Sequence, residues 1–249
     1  MNTFKSTTEI KSEAREVLLG KYGHFISVLL MIELITGVIT LTTSLFTSTS
    51  VIGQIISIII TLLVELIYVI FAVGLNYFSL NMGLGREYST SNIFYGFSYK
   101  TNKILISQVI LFLIYFLCLL PAILLAAIFY LVLPVAPIAA PMFITLVAII
   151  GIFGILYFSL KYQFVFYIIL DYPDANIKNI FQFSAMLMEE NYFRLFYIYV
   201  SFIPYYILAI CSLGIGLLFV VPYQKMTITK FYIDLIDCYY RAKEQTEAN

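Results

Sequence analysis

Long apolar runs separated by short polar stretches dominate this sequence. Several runs exceed the roughly 18 residues that are typical of a membrane-spanning helix. The pattern predicts an all-α, polytopic transmembrane helical bundle that forms one integral-membrane domain over residues 1–249. We expect about six spans, at residues 24–46, 51–78, 104–133, 142–170, 195–211 and 217–240. The last segment is interrupted by Pro222 and contains Lys225 and Lys230.

Amphipathic segments precede or connect the predicted spans. Residues 6–19 place apolar side chains on one helical face, and Ser6 with Glu9 fits a capping box. A shorter element lies between spans two and three, and residues 177–188 form another between spans four and five. An ordinary solvated helix would show the same pattern. The neighbouring spans favour interfacial helices on the cytoplasmic membrane surface.

A weak internal repeat links the two ends of the chain. Four positions recur 170 residues later: Ala14, Leu18, Tyr22 and Phe25 match Ser184, Met188, Tyr192 and Leu195. The middle connection has a vaguer version of the pattern, and together they favour a repeat of three membrane hairpins, each preceded by a surface helix. The alternative is that any surface helix entering a bilayer has this pattern.

Composition and charge support a membrane protein and indicate its orientation. The chain is 62% hydrophobic and 11% charged, whereas soluble domains average about 25% charged residues. The formal net charge is zero, so no nucleic-acid partner is expected. All 14 Lys and Arg residues precede span one, flank or fill the two long connections, or lie in or after the last segment. The positive-inside rule therefore predicts that both termini are cytoplasmic.

Three charged residues at predicted membrane depth are the candidate polar site. Glu33 lies in span one, Glu65 in span two and Lys225 in the last segment. Each charge costs at least about 2.5 kcal/mol on insertion scales, so such residues usually face the bundle interior and find partners. They favour either a proton- or cation-coupled pathway or a structural role, as a protonated glutamate or a Glu–Lys pair. The structural role is the preferred interpretation.

Motifs for catalysis or metal binding do not occur in the sequence. It contains one histidine, and no nucleophile elbow, zinc-protease motif or phosphate-binding loop. We therefore expect no enzymatic activity, no cofactor and no metal. The expected partners are the lipid bilayer and other membrane proteins.

Several short patterns carry a resemblance to a known family. The residues that carry this resemblance are Pro121, Asp171, Pro173, Ser184, Met188, Pro222 and Tyr223. Together they resemble the Gram-positive integral-membrane family called domain of unknown function 975. The resemblance covers nearly the whole chain and implies a multi-pass protein of the bacterial plasma membrane. That family is distantly similar to the membrane domain of some glycerophosphodiester phosphodiesterases, which implies work close to lipid.

Two functional hypotheses follow from these observations. The first is a non-enzymatic scaffold or accessory protein near lipid or envelope machinery, with the cytoplasmic interfacial helices as its contact surface. The alternative is a small transporter or channel subunit that uses Glu33, Glu65 and Lys225.

Overall fold

Helices account for all the regular structure that is described. The computed structural model describes residues 4–44, 50–132 and 139–247, and no strand occurs in these ranges. In chain order the helices are α1 (Thr7–Leu18), α2 (Tyr22–Ser44), α3 (Val51–Gly83), a 3₁₀ helix (Thr90–Phe94), α4 (Tyr95–Ser98), α5 (Thr101–Val132), α6 (Ala139–Lys161), α7 (Val165–Asp171), α8 (Ile177–Met188), α9 (Tyr192–Cys211) and α10 (Leu217–Glu247). The all-α prediction is confirmed. The predicted connections at residues 47–50 and 134–141 lie mostly outside the described residues.

The start of α1 is fixed by the predicted capping box. Ser6 Oγ accepts from the Glu9 amide at 3.3 Å, and the Ser6 amide donates to Glu9 Oε2 at 2.7 Å. The Ser6 amide and the Ser6 hydroxyl both donate to Glu9 Oε2, and these two bonds lower the pKa of Glu9 below its ordinary value. After α1 the chain turns at Gly20, whose φ of +72° suits glycine, and α2 begins at Tyr22.

The apolar faces of α1 and α8 are covered by protein. Ile10, Ala14 and Leu18 of α1 are buried, and this helix packs against α10. Ser184 and Met188 of α8 are buried in the same way, and α8 contacts α6, α7 and α10. These helices are amphipathic as predicted, but their apolar faces contact other helices of the bundle instead of the membrane surface.

The internal repeat is visible in the helix bounds. Thr7–Leu18 (α1) and Ile177–Met188 (α8) are both 12 residues long and are offset by 170 residues at each end. The next helices, α2 and α9, begin at Tyr22 and Tyr192, with the same offset. The middle connection differs because its 3₁₀ helix has five residues and α4 only four. The repeat therefore relates two units of this fold.

The fourth predicted span, at residues 142–170, is interrupted. Helix α6 ends at Lys161 and α7 begins at Val165. Polar residues Lys161 and Gln163 lie at the break. Ser184 Oγ donates to the Lys161 carbonyl at 3.1 Å, which satisfies a backbone acceptor that the end of a helix leaves unpaired.

Within the described residues, five helical segments, not six, are long and apolar enough to cross a membrane, and the fourth of them includes both α6 and α7. They cover Tyr22–Leu41, Val51–Gly83, Thr101–Phe129, Met142–Asp171 and Tyr192–Cys211 among the described residues. The predicted sixth segment, residues 217–240, is helical as part of α10 but is not one of them. The chain is therefore compatible with a multi-pass membrane protein, and the sixth span is not confirmed.

One ring contact conflicts with the predicted end points of the first and last segments. Tyr22 lies at the predicted cytoplasmic edge of span one, and Phe219 lies near the predicted outer end of the last segment. Their ring centroids are 6.0 Å apart, whereas the hydrocarbon core of a bilayer is about 30 Å thick. Tyr22 and Phe219 therefore cannot lie at opposite faces of a membrane, so the predicted depths of these two residues cannot both be right.

The connection between α3 and α5 packs closely against α3. A Cβ atom at Gly74 would lie 2.0 Å from the Ile93 carbonyl oxygen, and one at Gly96 would lie 2.5 Å from the Ile70 carbonyl oxygen. Real Cβ atoms do not approach backbone so closely, so these two glycines allow the 3₁₀ helix and α4 to contact α3.

Gly74→Ala should therefore destabilise the fold, because a methyl group there displaces the backbone at Ile93. Overpacking of this kind costs about 1–3 kcal/mol. The control is Gly37→Ala in α2, where nothing lies within 4 Å and alanine should be neutral or stabilise by up to about 1 kcal/mol. Thermal unfolding followed by circular dichroism in detergent measures both, and equal midpoints for the two variants would contradict the close packing.

Candidate functional site: a polar layer around α10

The structure does not bring Glu33, Glu65 and Lys225 together. Glu33 and Glu65 have exposed side chains on α2 and α3. Lys225 Nζ instead donates to Asn76 Oδ1 and lies 5.4 Å from the centroid of the Tyr167 ring. The predicted Glu–Lys pair is therefore wrong, because an amide and an aromatic face on α3 and α7 take the place of the carboxylate.

Hydroxyl groups join α3, α7 and α10 next to Lys225. The Tyr167 hydroxyl lies 2.9 Å from Thr229 Oγ1, which lies 3.0 Å from Ser79 Oγ and 3.0 Å from the Lys225 carbonyl. Tyr167, Thr229 and Ser79 are all buried. A hydrogen bond of this kind contributes about 1 kcal/mol net, but a buried group that loses its partner costs more. The cluster therefore holds the three helices in one register.

Lys230, one turn further along α10, binds the end of α3. Its Nζ donates to the Gly83 carbonyl at 2.7 Å. Carbonyl groups at a helix C-terminus carry partial negative charge, so a cation is favourable there. Burial lowers the pKa of Lys230 below its ordinary value.

A buried ion pair ties α10 to α9 and to the N-terminal segment. Arg194 Nη2 donates to Asp234 Oδ2 at 3.0 Å and to the Lys5 carbonyl at 2.8 Å, while Nη1 donates to Asn191 Oδ1 at 2.6 Å. The Asp234 side chain is only 1% exposed, so its charge depends on this partner. Asp234 Oδ1 also accepts a long bond, 3.4 Å, from the Lys5 amide.

Two aromatic rings complete the surroundings of Arg194. The centre of the guanidinium group lies 4.5 Å from the Phe4 ring centroid and 4.9 Å from that of Phe231. Both distances suit cation–π contacts. The N-terminal segment is therefore held by charge, hydrogen bonding and ring stacking together.

Asp171, at the end of α7, is bound to α10. The Tyr232 hydroxyl donates to Asp171 Oδ2 at 2.5 Å. Burial raises the pKa of Tyr232 well above its ordinary value, and the negative charge of Asp171 adds to the shift. Tyr232 therefore remains a protonated donor at neutral pH.

Pro173 lies in a turn that is stabilised by two lysines, Lys100 just before α5 and Lys103 in its first turn. Lys103 Nζ donates to the Pro173 carbonyl at 2.6 Å and to the Ala175 carbonyl at 2.8 Å. Lys100 Nζ lies 3.0 Å from Asp174 Oδ1 in an exposed ion pair. Basic residues that were assigned to the orientation of the chain thus also stabilise its turns.

The remaining motif positions lie within helices. Pro121 is on the exposed surface of α5, which continues through it. Pro222 and Tyr223 are buried in α10, and the Tyr223 ring meets that of Phe202 edge-on, with centroids 5.0 Å apart. Ser184 and Met188 are the buried residues of α8 described above. All of these positions except Pro121 are buried in contacts between helices.

The sequence reasoning missed the Arg194–Asp234 pair and the role of Asn76. The signal that singled out Lys225, a charge in a predicted span, also applies to Asp234, which lies in the same predicted segment. Arg194 was counted only as a basic residue of the cytoplasmic connection. Forty residues separate the two charges, so their pairing could be seen only once α9 and α10 were placed side by side.

Asp234→Asn should destabilise the protein by about 3 kcal/mol, because removal of one partner leaves the other charge poorly compensated in a largely buried site. The control is Lys100→Gln, which breaks the exposed Lys100–Asp174 pair, where the Asp174 side chain is 91% exposed and the expected loss is below about 1 kcal/mol. Unfolding midpoints in detergent measure both variants. In the double variant with Arg194→Gln, the combined loss should be smaller than the sum of the single losses, and additive losses would contradict the pairing.

Comparison with known proteins identifies a family. Neither a curated protein nor a solved structure matches the chain significantly. The sequence model of a family described as "Protein of unknown function (DUF975)" matches residues 1–237. That range contains the repeat, the polar layer around α10 and every motif position named above, so the resemblance seen in the sequence is confirmed. The chain belongs to the DUF975 family.

Proposed function

We propose that this chain is a non-enzymatic accessory protein of the bacterial plasma membrane that binds a partner protein near lipid or envelope machinery. Both termini would lie in the cytoplasm, which requires an even number of crossings among the five candidate spans and α10. The distribution of the 14 basic residues supports this orientation. The Lys5 and Asp234 contact supports it further, because it holds the N-terminal segment against the C-terminal helix.

The observation that carries this proposal is that the polar groups around α10 bind one another. Lys225, Lys230, Arg194 and Asp234 each have a partner within the protein. Side chains that are committed in this way stabilise the bundle, and they are poorly placed to bind a transported ion. The interior therefore supports the scaffold hypothesis, and we expect a partner to bind at the surface of the protein.

A groove between the N-terminal segment, α8 and α10 is the best candidate for that contact. It encloses about 310 Å³, and its lining includes Phe4, Met186, Glu189, Glu190 and Tyr239. Met186 is 45% exposed, and flexible methionine side chains are common on protein-binding surfaces. Apolar groups beside two glutamates suit a basic, amphipathic segment of a partner.

The transporter or channel alternative has less support. It requires Glu33, Glu65 and Lys225 to line one pathway, whereas the two glutamates have exposed side chains and Lys225 donates to Asn76. Flux measured in proteoliposomes therefore decides between the two hypotheses.

A photo-crosslinking residue at position 186 should give one discrete protein adduct in native membranes. The yield should fall in the Glu189→Gln, Glu190→Gln double variant, which removes the charge beside the groove. The control position is Phe153 on α6, which is 66% exposed and should crosslink mainly to lipid. Proton or cation flux in proteoliposomes that Glu33→Gln abolishes, without a protein adduct at position 186, would contradict the proposal.

A further inference from the structure

A second cavity lies where α3 and α7 end against α10. Its volume is about 270 Å³, and its charged lining consists of Arg86, Asp171 and Asp237. Pockets for drug-sized ligands span about 300–1,000 Å³, so this cavity suits a small polar group. It shares no lining residue with the groove proposed for a partner.

The end of α3 fixes the position of Arg86. The Arg86 amide donates to the Asn81 carbonyl at 2.9 Å, and the Gly85 amide donates to the Met82 carbonyl at 3.2 Å. These are the two bonds of a Schellman motif, and Gly85 has the positive φ, +67°, that the motif requires. The backbone of Arg86 is therefore held at the edge of the cavity.

Apart from Arg86, the charged side chains of the lining are negative. Tyr232 holds the Asp171 carboxylate through Oδ2 at 2.5 Å, which leaves Oδ1 as an acceptor for a ligand. Asp237 lies five residues further along α10 and is exposed. The C-terminal end of α7 also lies here, and its carbonyl groups add partial negative charge. A cationic group is therefore favourable in this part of the cavity.

We propose that this cavity binds a phosphoethanolamine headgroup, with the ammonium group donating to Asp171 and Asp237 and the phosphate accepting from Arg86. A purely anionic ligand would meet two carboxylates, and a purely cationic one would meet the guanidinium group. A zwitterion satisfies both. Arginine is well suited to phosphate, because its planar group can donate two parallel hydrogen bonds.

The apolar part of the lining favours a lipid as the source of this headgroup. Leu80, Leu84, Ile233 and Ile236 line the same cavity. Leu84 directly follows α3, which is one of the five helices able to cross a membrane. Headgroups of a bilayer lie at the ends of such helices, so the glycerol and upper acyl chains can contact these four side chains.

Delipidated protein in detergent micelles provides the test. Phosphatidylethanolamine should raise the unfolding midpoint more than phosphatidylglycerol, which lacks the ammonium group, and more than phosphatidylcholine, whose quaternary ammonium cannot donate. Arg86→Gln and Asp237→Asn should each lower the apparent affinity for phosphatidylethanolamine about tenfold or more, as expected for loss of a charged hydrogen bond. The affinity is read from the lipid concentration that gives half of the full midpoint shift. The controls are Glu87→Gln and Glu244→Gln, which remove exposed neighbouring charges outside the lining and should respond like the unmodified protein.

Two soluble compounds distinguish the ligand and its source. If phosphoethanolamine raises the unfolding midpoint as much as the lipid does, the cavity binds the same headgroup from a soluble source. If only the lipid raises the midpoint, the source of the headgroup is the membrane. Ethanolamine that protects as well as phosphoethanolamine would overturn the proposal in favour of a simple cation site. Equal shifts with all three lipids, or full responses in both Arg86→Gln and Asp237→Asn, would also overturn it.

Discussion

Several charged residues of α10 lie inside the protein, and the structure depends on the groups that compensate these charges. An unpaired charge in a low-dielectric interior is very costly, and a pair is tolerated only when hydrogen bonds complete it. Lys225 meets this need through Asn76, Lys230 through the Gly83 carbonyl, and Asp234 through Arg194. Because these partners lie on α3 and α9, the same bonds that satisfy the charges of α10 also determine which helices surround it.

This arrangement divides the bundle into a tightly packed part and a part whose apolar surface is left open. Along α3 the change occurs within one helix, since Ile52 and Ile58 are exposed while Val73 and Phe78 are buried. Apolar side chains that face lipid need no protein cover, because lipid chains are as apolar as they are. Polar side chains do need it, so the packed part is where α1, α7, α8 and α10 come together.

Periodicity and local chemistry were sufficient to predict the helices, the Ser6–Glu9 capping box and the 170-residue repeat, because each depends on residues close in sequence or on a fixed spacing. The break after Lys161 and the amide partner of Lys225 were not predicted. Long apolar runs suggest continuous spans, and a break within one depends on a distant donor, here Ser184. The partner of Lys225 proved to be an amide, and sequence alone does not reveal which helix an asparagine will face.

The position of α10 relative to α1 and α2 can be tested with a pair of cysteines at positions 22 and 219, in protein whose three native cysteines have been replaced. A short bifunctional thiol reagent should link this pair in native membranes, because the two rings are 6.0 Å apart. A pair at positions 25 and 78, whose rings are 5.4 Å apart on α2 and α3, is the positive control. Failure of the 22–219 pair to link when the control links, together with labelling of the two cysteines from opposite sides of the membrane, would show that α10 starts at the far face as a sixth span.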